Sequence, residues 1–217
     1  MRAEEGETMT KGVGRLRSRV VTDLMAATTA STQAYQRLHE RLVERAERES
    51  LLDVSYRTLD SPFGPLLLAA TRKGLVRVAF DREGHDAVLE RLAAEVSPRI
   101  LHAVRPLEKA AVQFDEYFSG RRQGFDLPID LRLANGFRRT VLRCLRRIAY
   151  GHTESYATIA EAAGKPNAAR AVGSACSHNP LPIVVPCHRV VRSDGSIGEY
   201  LGGTETKQAL LTMEAGA

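Results

Sequence analysis

Apolar positions follow two rhythms along the chain. Between residues 53 and 80 they alternate or run in short blocks. Val54, Tyr56 and Thr58 lead to a turn at Ser61-Pro62-Phe63-Gly64, then to Leu66-Leu67-Leu68-Ala69-Ala70, a second turn at Arg72-Lys73-Gly74, and a return over 75–80. This is the pattern of a β-meander. Elsewhere a spacing of three and four predicts helices. One spans 85–95, with Val88, Leu89, Leu92 and Val96 on one side, and another spans 106–118, opened by Pro106. A loop and strand are expected over 120–131. A third helix starts at Asn135 or Gly136, turns Phe137, Val141, Leu142, Leu145 and Ile148 inward, and is expected to end at Gly151. Two short helices follow at 155–161, closed by Gly164, and at 168–177. Joined by a Gly-containing turn, they read as a helix-turn-helix, although such pairs also serve purely structural roles. Upstream, the first 22 residues lack periodicity and read as a disordered tail. Residues 23–49 turn helical, with an apolar stripe of Tyr35, Leu38, Leu42 and Ala46 expected to pack on the body of the protein.

These elements divide the chain into an N-terminal extension (1–50), a sheet-and-helix domain (51–131) and a helical domain (132–217), an α/β protein of two domains. The 217 residues, 43% hydrophobic and 26% charged with 17 Gly and 9 Pro, exclude a collagen-like or wholly disordered chain. No run of 18 apolar residues spans a membrane and no apolar segment reads as a secretory signal, so a cytoplasmic protein is expected. Three cysteines (Cys144, Cys176, Cys187) are too few for a disulfide framework and fit a reducing compartment. They are also too few for a four-thiolate zinc site, no His pair completes a mixed one, and no metal or other cofactor is expected.

Charge changes the picture only through its position. Residues 132–192 hold ten basic and two acidic side chains, a net +8 against +5 for the whole chain. Such a concentrated field suits a polyanion, most often nucleic acid, and equally suits a solvated basic helix face. The richer chemistry lies in Asn179-Pro180-Leu181-Pro182-Ile183-Val184-Val185-Pro186-Cys187-His188-Arg189-Val190-Val191, which reads as a buried apolar strand running into adjacent Cys and His. Cys is a nucleophile only as thiolate and needs a base or a positive environment. On an extended strand, neighbours point to opposite faces, so a water or a bend at Pro186 would have to mediate proton transfer from Cys187 to His188. Taken alone, the adjacency is equally the mark of a buried inert cysteine.

Pro186-Cys187-His188-Arg189-Val190 resembles the signature of the O6-alkylguanine-DNA alkyltransferases, the methylated-DNA–protein-cysteine methyltransferases. Ser155-Tyr156, Ile159-Ala160, Ala169-Arg170-Ala171-Val172-Gly173, Asn179-Pro180, Gly198, Tyr200, Gly202-Gly203, Lys207, Leu210-Leu211 and Glu214 match the family in order and spacing. The resemblance is close over 133–215, looser over 52–131 and absent over 1–50. It implies a ribonuclease-H-like first domain and a winged helix-turn-helix second domain. The implied activity is direct reversal of O6-alkylguanine, and of O4-alkylthymine, in double-stranded DNA by a monomer that engages the minor groove and could bind cooperatively.

Roles carry over by position. Cys187 resembles the alkyl acceptor, His188 the base that takes its proton through a water, and Glu214 the carboxylate that orients and charges the imidazole. Tyr156 resembles the phenol that stabilises the leaving guanine, and Asn179 the hinge between the recognition helix and the active-site strand. Arg170 resembles the arginine that replaces the extruded nucleotide, a step the shielded target carbon requires. Its small neighbours Ala169, Ala171 and Gly173 allow close approach to DNA, and Lys165 and Arg192 are candidate phosphate contacts. Pro182, Val190, Ile197, Gly198, Tyr200, Leu201 and Gly202 are implied to wall the base pocket. A thioether offers water no good leaving group, so the protein would act once. The rival readings are a non-catalytic alkyltransferase-like damage sensor, a Cys-His hydrolase and a helix-turn-helix regulator.

Overall fold

The computed structural model describes residues 33–216. The tail expected over 1–22, and the first part of the helix expected from 23, lie outside the described residues. Two compact units are distinguished, one ending at Ser50 and the other beginning at Leu51. In the first, residues 33–48 form helix α1. Of its expected stripe, Tyr35, Leu38 and Leu42 are exposed and Ala46 is buried, as is Val43 outside the stripe.

The second unit opens with the meander, β1 (Val54–Leu59), β2 (Leu66–Thr71) and β3 (Gly74–Phe80), followed by α2 (His85–Glu95) and a short β4 (Ile100–His102). The sheet order is β3-β2-β1-β4, antiparallel except for the β1–β4 pair. The unbroken apolar run of β2 follows from burial on both faces. Leu67 and Ala69 face α2 through Val88 and Leu92, whereas Leu66 and Leu68 face the other core. The strand β4 is too short to stand out by alternation; it forms because β1 offers it a parallel partner. The expected strand at 120–131 reduces to one bridge, Leu75 to Ile129.

The helix expected from 106 starts two residues later. Pro106 sits in a 3-10 turn (Arg105–Leu107), and α3 runs Glu108–Phe118 with Phe114 and Tyr117 fully buried. Helix α4 (Gly136–Leu145) stops well short of Gly151, which leaves Arg146 and Arg147 beyond its last turn while Ile148 still reaches the core. Ser155 caps α5 (Tyr156–Ala162) by accepting from the Thr158 N–H at 3.0 Å, and α6 (Ala169–Ser177) completes the helix-turn-helix. A parallel bridge of β5 (Glu154–Ser155) with β6 (Val190–Val191) ties the start of α5 to the segment after Cys187. Helix α7 (Thr204–Ala215) closes the fold, with Lys207, Leu210 and Glu214 buried along one side at spacings of three and four.

One apolar core joins both halves of this unit: Leu66, Phe80, Phe114 and Tyr117 pack with Leu142, Leu181, Cys187 and Leu210. Truncating a fully buried member such as Leu142 to Ala costs about 2–5 kcal/mol. The site therefore sits inside a shared core rather than on one domain.

Candidate active site

The segment before Cys187 is not the strand expected of it. Residues 181–185 form tight turns, with the Val184 N–H donating to the Pro182 carbonyl at 2.9 Å and the Val185 N–H to that of Leu181 at 2.8 Å. Ile183 is held at φ 74, a left-handed conformation that is an outlier for a β-branched residue. Two prolines that cannot donate, and the demand for hydrogen bonds in a buried loop, override the strand propensity of the Ile-Val-Val run. Cys187 and His188 then lie on a 3-10 turn (Cys187–Arg189) that begins at Pro186. This removes the opposite-face problem of an extended pair.

Both side chains are buried, Cys187 at 2% and His188 at 0% exposure. The Asn179 side chain organises the turn. Its Oδ1 accepts from the Leu181 N–H (3.0 Å), and its Nδ2 donates to the Val185 carbonyl (2.8 Å) and to Cys187 Sγ (3.1 Å). That last bond favours thiolate, as does the charge of Lys207, whose Nζ donates to the Val190 carbonyl at 2.6 Å. Burial outweighs both and pushes the Cys187 thiol up to about 11. At rest the group is a protonated thiol, and a base is required.

The His188 side chain has the surroundings a base needs. Its Nε2 lies 2.8 Å from Glu214 Oε1, an acceptor that fixes the proton on Nε2. Its Nδ1 is buried without a protein hydrogen-bond partner, a free lone pair for an incoming proton. Burial lowers the histidine's pKa despite the opposing pull of Glu214, so the resting imidazole is neutral. Glu214 is held by more than the histidine. Arg189 donates to it from Nε (2.8 Å) and Nη2 (2.9 Å), the Gly151 N–H at 3.3 Å, and the Tyr117 hydroxyl through a short hydrogen bond. Although burial pushes the other way, bonds from His188, Arg189 and Tyr117 hold its carboxyl down at about 2. The anion is thus permanent and available to stabilise an imidazolium.

Tyr156 begins α5 beside this centre. A Cβ on Gly198 would stand 2.7 Å from its hydroxyl, so the loop from Ser196 to Gly203 can close on it only with glycine there. Gly202 makes a second close approach, with its α-carbon against the Phe80 ring. Pro182, Val190 and Gly198 are buried, and Ile197, Tyr200, Leu201 and Gly202 half-buried. Arg170, Ala171 and Lys165 are exposed on the helix-turn-helix, with Ala169 and Gly173 half-buried beside them; the Lys165 ammonium lies 5.1 Å over the Phe137 ring. Cys144 and Cys176 are buried, and burial raises the Cys176 thiol far above its ordinary range.

The structure thus brings together two hydrogen-bonded pairs, Asn179 with Cys187 and His188 with Glu214, which meet where Cys187 and His188 are neighbours on the 3-10 turn. Three further residues at the site were not assigned a role from the sequence: Tyr117, Arg189 and Lys207. Arg189 carries a signal, since a charge between the apolar pairs of a buried segment needs a partner. Tyr117 carries none, standing 97 residues from the carboxylate it contacts. Among the described residues no group of His, Cys, Asp or Glu is placed to hold a metal, and no helix is long and apolar enough to cross a membrane.

Comparison with known proteins places this geometry. Two family models match the chain in succession: 6-O-methylguanine DNA methyltransferase, ribonuclease-like domain, over residues 54–131, and the DNA binding domain of the same description over 136–216. Both parts of the expected fold class are therefore found. Among curated relatives, the methylated-DNA–protein-cysteine methyltransferase of Mycolicibacterium paratuberculosis is 42% identical over 161 residues, covering 74% of this chain and 92% of the relative. The constitutive protein of that name from Bacillus subtilis is 39% identical over 161 residues, covering 73% and 94%. The crystal structure of the Mycobacterium tuberculosis O6-methylguanine methyltransferase is similar at a TM-score of 0.65 and 38% identity, over 75% of this chain and 93% of that one. A structure of that organism's OGT in complex with DNA matches at 0.65 and 39% over the same shares.

Proposed function

The chain belongs to the methylated-DNA–protein-cysteine methyltransferase family, and we propose that it repairs O6-alkylguanine in double-stranded DNA by moving the alkyl group irreversibly onto Cys187. The observation that carries this reading is the sulfur's setting: a buried thiol, a neutral histidine with a free lone pair, and a carboxylate locked in its ionised form.

In this mechanism the thiol proton passes through a bridging water to His188 Nδ1, and Glu214 stabilises the resulting imidazolium. The sulfur attacks the alkyl carbon in line, the S–C bond forms as the C–O6 bond breaks, and the electron pair leaves with guanine. Tyr156, at the mouth of the site, donates toward the ring nitrogen on which charge develops. Asn179 holds Sγ in place during attack. Because a stacked base hides the carbon, the nucleotide must leave the helix, at a cost of about a few kcal/mol. Exposed Arg170, on a helix of small residues, is suited to fill the gap from the minor groove. Ala169, Ala171, Gly173 and Lys165 complete the contact surface, and the pocket is walled by Pro182, Val190 and the loop from Ile197 to Gly202. No cofactor takes part in this sequence, and the protein would act as a cytoplasmic monomer.

The test is intact-mass measurement after incubation with duplex DNA containing O6-methylguanine. One added methyl per chain, mapped to the Cys187 peptide and abolished by Cys187→Ser with DNA binding kept, is the expected result. Repeated turnover, or methyl on Cys144 or Cys176, would refute it. DNA binding with no covalent change would favour the damage-sensor alternative.

A further inference from the structure

Strand β3 touches the site's framework at three points. The Val78 N–H donates to the Pro180 carbonyl at 2.8 Å, and Arg77 Nη1 donates to the Asn179 carbonyl at 3.4 Å. The Phe80 ring meets Tyr200 edge-on at 5.7 Å and lies directly under Gly202. The first two contacts hold the backbone of Asn179 and Pro180, and the Asn179 amide bonds Cys187 Sγ. The third supports the loop that closes on Tyr156.

An ion pair links the two ends. Arg77 and Glu83 pair with side chains only 12% and 13% exposed, and the second oxygen of Glu83 accepts the Phe80 N–H at 3.0 Å. A continuous line of contacts therefore runs from the Asn179 carbonyl through Arg77, Glu83 and the Phe80 backbone to the ring beneath the loop. A cavity of about 400 Å³ opens beside the pair, lined by Arg77, Glu83, Asn179 and Leu201 among others. Largely buried ion pairs add little net stability over apolar replacements, and the best-attested use of such pairs is to fix a geometry.

We propose that Arg77 and Glu83 are positioning residues, which set together the Asn179–Cys187 contact and the seat of the loop spanning Gly198 to Gly203. This makes the sheet domain part of the reacting geometry. The proposal rests on Cys187 being the alkyl acceptor, and its test separates the two. Single-turnover rates are measured with free O6-benzylguanine and with O6-methylguanine duplex for the wild type, Glu83→Gln, Arg77→Gln, Arg77→Lys and Phe80→Leu. Intact mass gives the reactive fraction and thermal melting the folded state.

Displacing reacting groups by a fraction of an ångström slows chemistry, so the maximal rate should fall about tenfold in Glu83→Gln and Arg77→Gln on both substrates. The half-saturating DNA concentration should not change, and each folded chain should still take one alkyl group. Arg77→Lys, which keeps a charge for Glu83, should recover most of the rate. Phe80→Leu, which leaves the ion pair intact, should slow the chemistry in the same way. Folded variants reacting within about twofold of the wild type would overturn the proposal. So would a loss confined to the reactive fraction with no recovery in Arg77→Lys. A wild-type chain that takes no alkyl group on Cys187 would overturn the function beneath it, an outcome distinct from both.

Discussion

Replacing Glu214 by Gln tests the centre of the site with almost no change in shape. The carboxylate accepts from His188, Arg189, Tyr117 and Gly151, and its side chain is fully buried. An amide has one acceptor oxygen, no charge, and an NH2 group that would have to face these donors. Two losses follow. The Arg189 guanidinium keeps only the Ile148 carbonyl at 2.7 Å and the face of Tyr150, a partly uncompensated buried charge that costs about 3–5 kcal/mol. The pH dependence of the wild type also changes. A carboxyl lowered from 4.5 to about 2 contributes at most about 3 kcal/mol, fully present above pH 4.5 and lost as pH falls toward 2. Between pH 7 and pH 3 the loss comes to roughly 2 kcal/mol. Asp53 and Asp130 are also depressed, but they are common to both proteins and cancel in the comparison. Urea unfolding of the two proteins at pH 7 and pH 3 measures this directly. The gap should be at least about 3 kcal/mol at pH 7 and narrow by roughly 2 at pH 3. Transfer to the folded variant should slow by about a hundredfold or more, because no anion stabilises the imidazolium. A gap below about 1 kcal/mol at pH 7, or one constant with pH, would refute the reasoning on stability. A wild-type transfer rate would refute the role of the imidazolium.

Two further outcomes are expected. Arg170→Ala should weaken binding and slow repair in duplex DNA by at least about tenfold while leaving reaction with free O6-benzylguanine nearly unchanged, and equal losses on both substrates would remove its part in base extrusion. Tyr117→Phe deletes one bond to a charged acceptor and should cost about 1.5–3 kcal/mol in urea unfolding, with a smaller loss of transfer rate than in Glu214→Gln; an unchanged midpoint would mean that the hydroxyl does not hold the carboxylate.

The sequence by itself determined the local elements and the chemistry-bearing motif. Leu66–Thr71 is an unbroken apolar run because successive side chains of a strand enter opposite cores and both faces are buried, and such a run is legible in the residue order. Asn179, the Cys187-His188 pair and Glu214, which the fold brings together, are legible because their order and spacing along the second domain resemble those of a family. The strand expected before Cys187 is absent for a local reason: its Val and Ile positions favour β-structure, while its prolines lack the N–H a ladder needs and the Asn179 side chain offers hydrogen-bonding partners for turns.

Only the tertiary structure decided how charges and hydrogen-bond donors are arranged around the site. Tyr117, Arg189 and Gly151 converge on one carboxylate from three separate elements, and no periodicity records a contact across 97 residues. Whether Cys187 rests as thiol or thiolate, and which histidine nitrogen is free, depends on burial and on bonds that exist after packing. Those are properties of a closed core, where a low dielectric magnifies each charge and leaves no water to substitute for a missing partner.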